Sequence, residues 1–190
     1  MKRIILTDRD NKIIEFINDF KCATTSTIAD IFFPSLRTAQ RRLKYLCEHG
    51  YIKAYQEHIT LEKIYYIKKK PSQLKHSLIL SSFIAEIKKA NIEILKYRVQ
   101  FKLGNTIPDC LLVLRYNNKN YIYLVECENT KQFNLKKYED LYYSRAYKDI
   151  LPTFPSIIVI SNRPVKKSDK FDVIDVKLDF SNIENFFKDL

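Results

Sequence analysis

Glycine is nearly absent: the 190 residues contain two, Gly50 and Gly104. Phosphate-cradling loops of the GxxxxGK[ST] or GxGxxG kind are therefore excluded, because they need several glycines close together. Tryptophan is missing, and there is one methionine. The three histidines, His49, His58 and His76, are isolated and form no paired-histidine metal motif. Cys22, Cys47, Cys110 and Cys127 show no CxxC spacing and lie in apolar surroundings. That is the pattern of reduced core thiols rather than of a zinc site or disulfides. No apolar run approaches the ~18 residues of a membrane span, and the N-terminus has no signal-peptide core. A soluble, cytoplasmic protein without a membrane partner is expected.

What is present is a large apolar fraction and an excess of positive charge. Hydrophobic residues make up 46%, enough for a packed core. Lys and Arg number 33 against 22 Asp and Glu, a net charge of +11. That balance points to an anionic partner, nucleic acid first and membrane surface second.

The first 70 residues predict three helices and a hairpin. Thr7 with Asp10 three residues on has the form of a capping box, followed by Ile13, Ile14, Phe16, Ile17 and Phe20 at helical spacing. A second helix starts near Thr25 or Ser26 and stops at Pro34. Ser35 caps a third over 36–49, with Leu36, Ala39, Leu43 and Leu46 on one stripe, and Gly50 supplies its left-handed end. Two β-prone runs, 51–56 and 63–67, follow. This order predicts a winged helix-turn-helix whose third helix reads the major groove of double-stranded DNA. Ser35, Arg37, Thr38, Gln40, Arg41, Arg42 and Lys44 are the candidate DNA-binding residues. Arg suits guanine edges and phosphates, Gln suits adenine, and hydroxyls suit phosphates. The alternative is a solvated, charged helix face on a protein-binding module.

Lys68-Lys69-Lys70-Pro71 reads as a hinge, dividing the chain into domains 1–70 and 71–190. In the second half, 72–90 has an amphipathic helical pattern and 92–103 alternates as a strand. Two strands over 108–128 follow, then a helix over 131–150, a buried strand over 156–161, a strand over 171–177 and a terminal helix over 182–190. Helix, strand, strand, strand, helix, strand is the core order of PD-(D/E)xK restriction-endonuclease-like domains. The fold class expected for the whole chain is α+β.

The segment 108–128 carries three acids. With a loop at 117–120, Asp109 falls opposite Glu128; with a tight Asn117-Asn118 turn it falls opposite Glu126. Either register puts Asp109, Glu126 and Glu128 on one face, because side chains alternate along a strand. Three carboxylates so close repel unless a cation lies between them, and Mg2+ or Mn2+ would suit their oxygens. Pro108-Asp109 followed by Glu126-Cys127-Glu128 matches the spacing of the nuclease signature, except that Glu128 stands where that triplet ends in Lys. Lys131, Lys136 or Lys137 from the next helix would then supply the missing cation. In the catalytic reading Asp109 and Glu126 hold the metal, Glu128 is a third ligand or a base, and Lys131 or Lys136 stabilises charge.

The layout resembles the replication-relaxation family of plasmids and integrative elements, and is similar to mobilisation relaxases built on a nuclease fold. The resemblance rests on Leu6-Thr7-Asp8-Arg9-Asp10, the Phe33-Pro34-Ser35-Leu36-Arg37-Thr38-Ala39-Gln40-Arg41-Arg42-Leu43 segment, and His76 with Leu78. Pro108-Asp109, Glu126-Cys127-Glu128-Asn129-Thr130 and Lys136-Lys137-Tyr138 complete it. It implies DNA binding in plasmid replication or conjugative transfer, with metal-dependent nicking and with relaxosome or replication proteins as partners. The competing expectation is a non-enzymatic regulator whose nuclease-like domain serves homodimerisation or partner contact. In that case the tyrosines of the following helix, Tyr138, Tyr142, Tyr143 and Tyr147, would supply the surface.

Overall fold

In the computed structural model, which describes residues 5–59, 61–129 and 132–188, Thr7 opens the first helix. Its hydroxyl accepts the Asp10 N–H at 3.3 Å, and the Asp10 carboxylate accepts the Thr7 N–H at 2.7 Å, so both groups of the capping box are satisfied. Helix α1, Asp8–Phe20, buries Ile13, Phe16, Ile17 and Phe20. Thr24 caps α2, Thr25–Phe32, and Ser35 caps α3, Leu36–Glu48. Between them Phe33 is extended, as a residue preceding proline favours. Past α3, Gly50 has φ +77°, the left-handed end expected of it.

Three short strands form a small antiparallel sheet: β1 Ala23–Thr24, β2 Lys53–Tyr55 and β3 Ile64–Tyr66, with β3 in the centre. The pair β1 was not expected, since two residues carry no periodic signal of their own. The start of α2, directly after β1, is fastened by Glu62, whose carboxylate accepts the Ser26 N–H at 2.7 Å and the Ser26 hydroxyl at 2.9 Å.

Helix α4, Leu74–Lys89, turns Ile79, Leu80, Phe83, Ile84 and Ile87 inward and packs on α1, α2 and β1. Thr27 and Ser82 share a hydrogen bond of 3.2 Å, and Lys89 reaches Asp30 of α2 at 3.0 Å. The chain therefore divides into compact units at Met1–Asn91 and Ile92–Leu190, not after the lysine run at residue 70. The physical reason is the apolar face of α4, which is buried against the first unit. Apart from β1, the element order up to this point is as expected, but the leading helix of the anticipated nuclease-like core belongs to the first unit.

The second unit is a mixed five-stranded sheet in the order β4-β5-β6-β7-β8. Strands β4 Glu93–Val99, β5 Cys110–Tyr116 and β6 Lys119–Cys127 are antiparallel neighbours; β7 Ser156–Ile160 and β8 Val173–Val176 continue in parallel. The parallel step from β6 to β7 is spanned by α5, Leu135–Ser144, and a 3-10 turn, Ala146–Asp149. One long helix over 131–150 was expected; the helix instead breaks at Arg145, which is left-handed at φ +58°. Leu111, Leu124, Ile157 and Val159 form one sheet face and are packed with Phe133, Tyr138, Leu141 and Tyr147. The last helix, α6, is Ile183–Lys188 and sets Phe186 edge-on to Tyr123 at 5.3 Å. With six helices and two sheets among the described residues, the chain is α+β, as read from the sequence.

Candidate functional site

Two groups of residues were singled out in the sequence, one in each unit. On α3, Ala39, Leu43 and Leu46 are buried, while Arg37, Gln40, Arg41 and Lys44 stand exposed on the opposite side. Lys44 lies 3.8 Å from Glu48, an exposed pair that leaves the lysine accessible. Ser35 and Thr38 are committed mainly to the helix start: their hydroxyls are 2.9 Å apart, and Ser35 accepts the Thr38 N–H at 3.4 Å.

Arg42 departs from expectation. Its guanidinium grips the Asp10 carboxylate through two nitrogens, with Nε at 2.8 Å from Oδ1 and the second bond running from Nη2 to Oδ2. Asp10 is fully buried, so it requires a counter-charge, and the arginine supplies it from α3. Burial works against the Asp10 charge, but hydrogen bonds from Arg42 and Thr7 outweigh it and hold the carboxyl at about 2. Arg42 thus staples α1 to α3 and is not part of the exposed basic stripe.

In the second unit, Tyr116 pairs with Lys119 and Cys110 with Val125. The turn is the two-residue form, with Asn117 at φ +48° and Asn118 at φ +60°, the left-handed pair of a type I′ hairpin. Continuing that register puts Asp109, one residue before β5, opposite Glu126. Asp109 accepts the Cys127 N–H at 2.8 Å through Oδ2, and Glu128 extends the β6–β7 pairing by donating its N–H to the Ile160 carbonyl at 2.9 Å.

Glu126 is 6% exposed, on the face covered by α5. Its Oε1 receives Lys137 Nζ at 2.6 Å and also the hydroxyl of Tyr138, which is wholly buried. The same ammonium donates to the Ile107 carbonyl at 3.2 Å. Burial, and then the charge of Asp109, push the Glu126 carboxyl up to about 7, against the downward pull of Lys137 and Tyr138. Burial and the Glu126 charge raise the Tyr138 phenol as well, so it serves as a proton donor in this bond.

Among the described residues, no group of three or more His, Cys, Asp and Glu side chains is placed to hold a metal ion. The cluster of Asp109, Glu126 and Glu128 expected around Mg2+ or Mn2+ is therefore not formed by these side chains. Glu126 instead finds its positive charge in Lys137, and one oxygen of Asp109 is spent on the backbone of Cys127.

Of the lysines expected to assist, Lys136 is exposed on α5 and borders a hollow of about 510 Å3 with Asn105, Asn134 and Asp140. Lys131 lies outside the described residues. The lysine that reaches the acid is Lys137, one position along. Of the four tyrosines weighed as a contact surface or as half core, Tyr138 and Tyr147 are buried, Tyr142 is half-buried and Tyr143 is exposed. The signal for both lay in the helix phase: with Tyr138 and Leu141 facing inward, Lys137 flanks the buried stripe. No helix among the described residues is long and apolar enough to cross a membrane. No protein-family model matches the chain, and no curated protein or solved structure shows significant similarity to it.

Proposed function

We propose that the chain is a double-stranded-DNA-binding protein of a mobile element, acting in plasmid replication or conjugative transfer. The observation that carries the reading is the outer face of α3 from Arg37 to Lys44, a stretch without an acid, where Arg37, Gln40, Arg41 and Lys44 stand exposed beside one another. The order α1, β1, α2, α3, β2, β3, with β3 central in the small sheet, supports a winged helix-turn-helix with α3 as recognition helix. Guanidinium groups and a carboxamide are the side chains that read base edges and grip phosphates. The test is fluorescence anisotropy with plasmid-derived duplexes. Replacing Arg37 and Arg41 together with Ala should weaken binding and lower the salt slope by about two. Affinity equal to wild type at every salt concentration would refute the recognition-helix assignment.

For the second unit, the favoured reading is a nuclease-like domain in a non-enzymatic, relaxosome-accessory or regulatory role, working through dimerisation or partner contact. Its support is the internal neutralisation of Glu126 by Lys137 and Tyr138. The competing reading, nicking at Asp109 and Glu126 with Lys137 as the cation of the site, is supported by their shared register and proximity. A supercoiled-plasmid nicking assay with Mn2+ separates the two. Nicking by wild type that Asp109→Ala abolishes would overturn the non-enzymatic reading.

A further inference from the structure

Beside the exposed face of α3 runs an open cleft of about 910 Å3, walled by Thr7 and Arg9 of the α1 start, Phe33, and Thr38, Arg41 and Tyr45 of α3. We infer that this cleft seats a backbone phosphate of the bound duplex, clamped between Arg9 and Arg41. The inference rests on the DNA-binding reading and extends it to a residue outside the recognition helix.

Charge, preorganisation and position carry it. Arg42 and Asp10 also line the cleft, but they neutralise each other, so its positive charge comes from Arg9 and Arg41, opposed by Asp8. The Arg9 guanidinium lies over the Phe33 ring at 5.1 Å from its centroid, which limits its rotamers before any ligand arrives. Arg41 belongs both to the cleft and to the exposed stripe of α3. A duplex seated on that stripe therefore brings its own backbone to the cleft. The ligand class is a phosphodiester, recognised without regard to base sequence.

The test uses the full chain and a random-sequence duplex of about 20 base pairs, two helical turns, titrated by anisotropy over a range of salt. Non-specific binding is dominated by phosphate contacts, so it reports on them without a cognate site. Arg9→Ala should weaken binding roughly eightfold at 0.1 M salt and reduce the salt slope by about one, the share of a single contact. Arg9→Lys should restore the slope, and Asp8→Asn should tighten binding although it removes a favourable charge from the helix start. Unchanged slope and affinity in Arg9→Ala, with Arg37→Ala still weakened, would overturn the clamp and leave the recognition helix standing. A wild-type chain that binds no duplex would overturn both. Inorganic phosphate that competes at millimolar concentration, with no change of slope in Arg9→Ala, would assign the cleft to a free anion and also overturn the proposal.

Discussion

Replacing Glu126 with Gln should make the second unit more stable at alkaline pH and change it little at acidic pH. The ordinary glutamate value is 4.5, and in the folded chain burial and then Asp109 raise it to about 7. A folded state that holds the proton more tightly than the unfolded state loses stability as pH climbs between those two values. Below the lower value the group contributes nothing; above the upper one its full penalty applies. At about 1.4 kcal/mol per unit the complete penalty is about 3 kcal/mol, of which about 2 kcal/mol develops between pH 5 and pH 8. Gln cannot ionise, and its carbonyl oxygen still accepts from Lys137 and Tyr138 at little change in volume. Hydrogen exchange of the β6 amides is the suitable assay, because it reports opening of this sheet alone. Comparing variant and wild type at the same pH cancels the intrinsic exchange rate. The variant's advantage should grow by about 2 kcal/mol from pH 5 to pH 8. A constant advantage, or one that grows toward acid, would refute the account of a carboxylate held charged at a penalty.

Three further outcomes follow from the same contacts. Arg42→Ala leaves Asp10 buried without its partner and should destabilise the first unit by about 3 kcal/mol or more, seen as an earlier urea midpoint for α1 and α3. In wild type the Asp10–Arg42 pair should contribute about 2 kcal/mol that is present above pH 3.8 and lost as pH falls toward 2, because the folded carboxyl is the stronger acid; an acid titration followed by helical circular dichroism checks it. Gly104→Ala should destabilise the second unit by about 1–2 kcal/mol. The added Cβ would sit 2.9 Å from the Ala146 Cβ, and φ is +58°; thermal unfolding of the two proteins decides it.

Helix ends were legible because their signals are local: Thr7 with Asp10, Ser35 after Pro34, and Gly50 each act within a few residues. The alternation of 108–128 was legible for the same reason, although two registers remained open. What chose between them was the backbone at Asn117 and Asn118, whose positive φ closes the turn in two residues. Distant pairings were not legible. Arg42 belongs by position to a basic run, and only the fold brings Asp10, 32 residues earlier, against it. The compact units part at Asn91 rather than at the lysine run because the partner of α4's apolar face lies in the first unit, and that partner is written nowhere near α4 in the sequence. Lys136 and Lys137 are equivalent in the sequence; the start of α5 at Leu135 sets the phase that sends the second toward Glu126.

The hairpin turn has a consequence for how this chain tolerates change. It lies at the far end of β5 from Asp109, seven residues or roughly 23 Å away, and touches none of the acids. Yet its length decides which residue faces Asp109. Exchanging either asparagine for another residue at ease with positive φ alters nothing downstream. An inserted residue that is not absorbed as a three-residue loop slides the strands past each other by one position and turns Glu126 to the opposite side of the sheet, away from Lys137 and Tyr138. The tip is thus free in composition and rigid in count, a measuring device for a site it never meets.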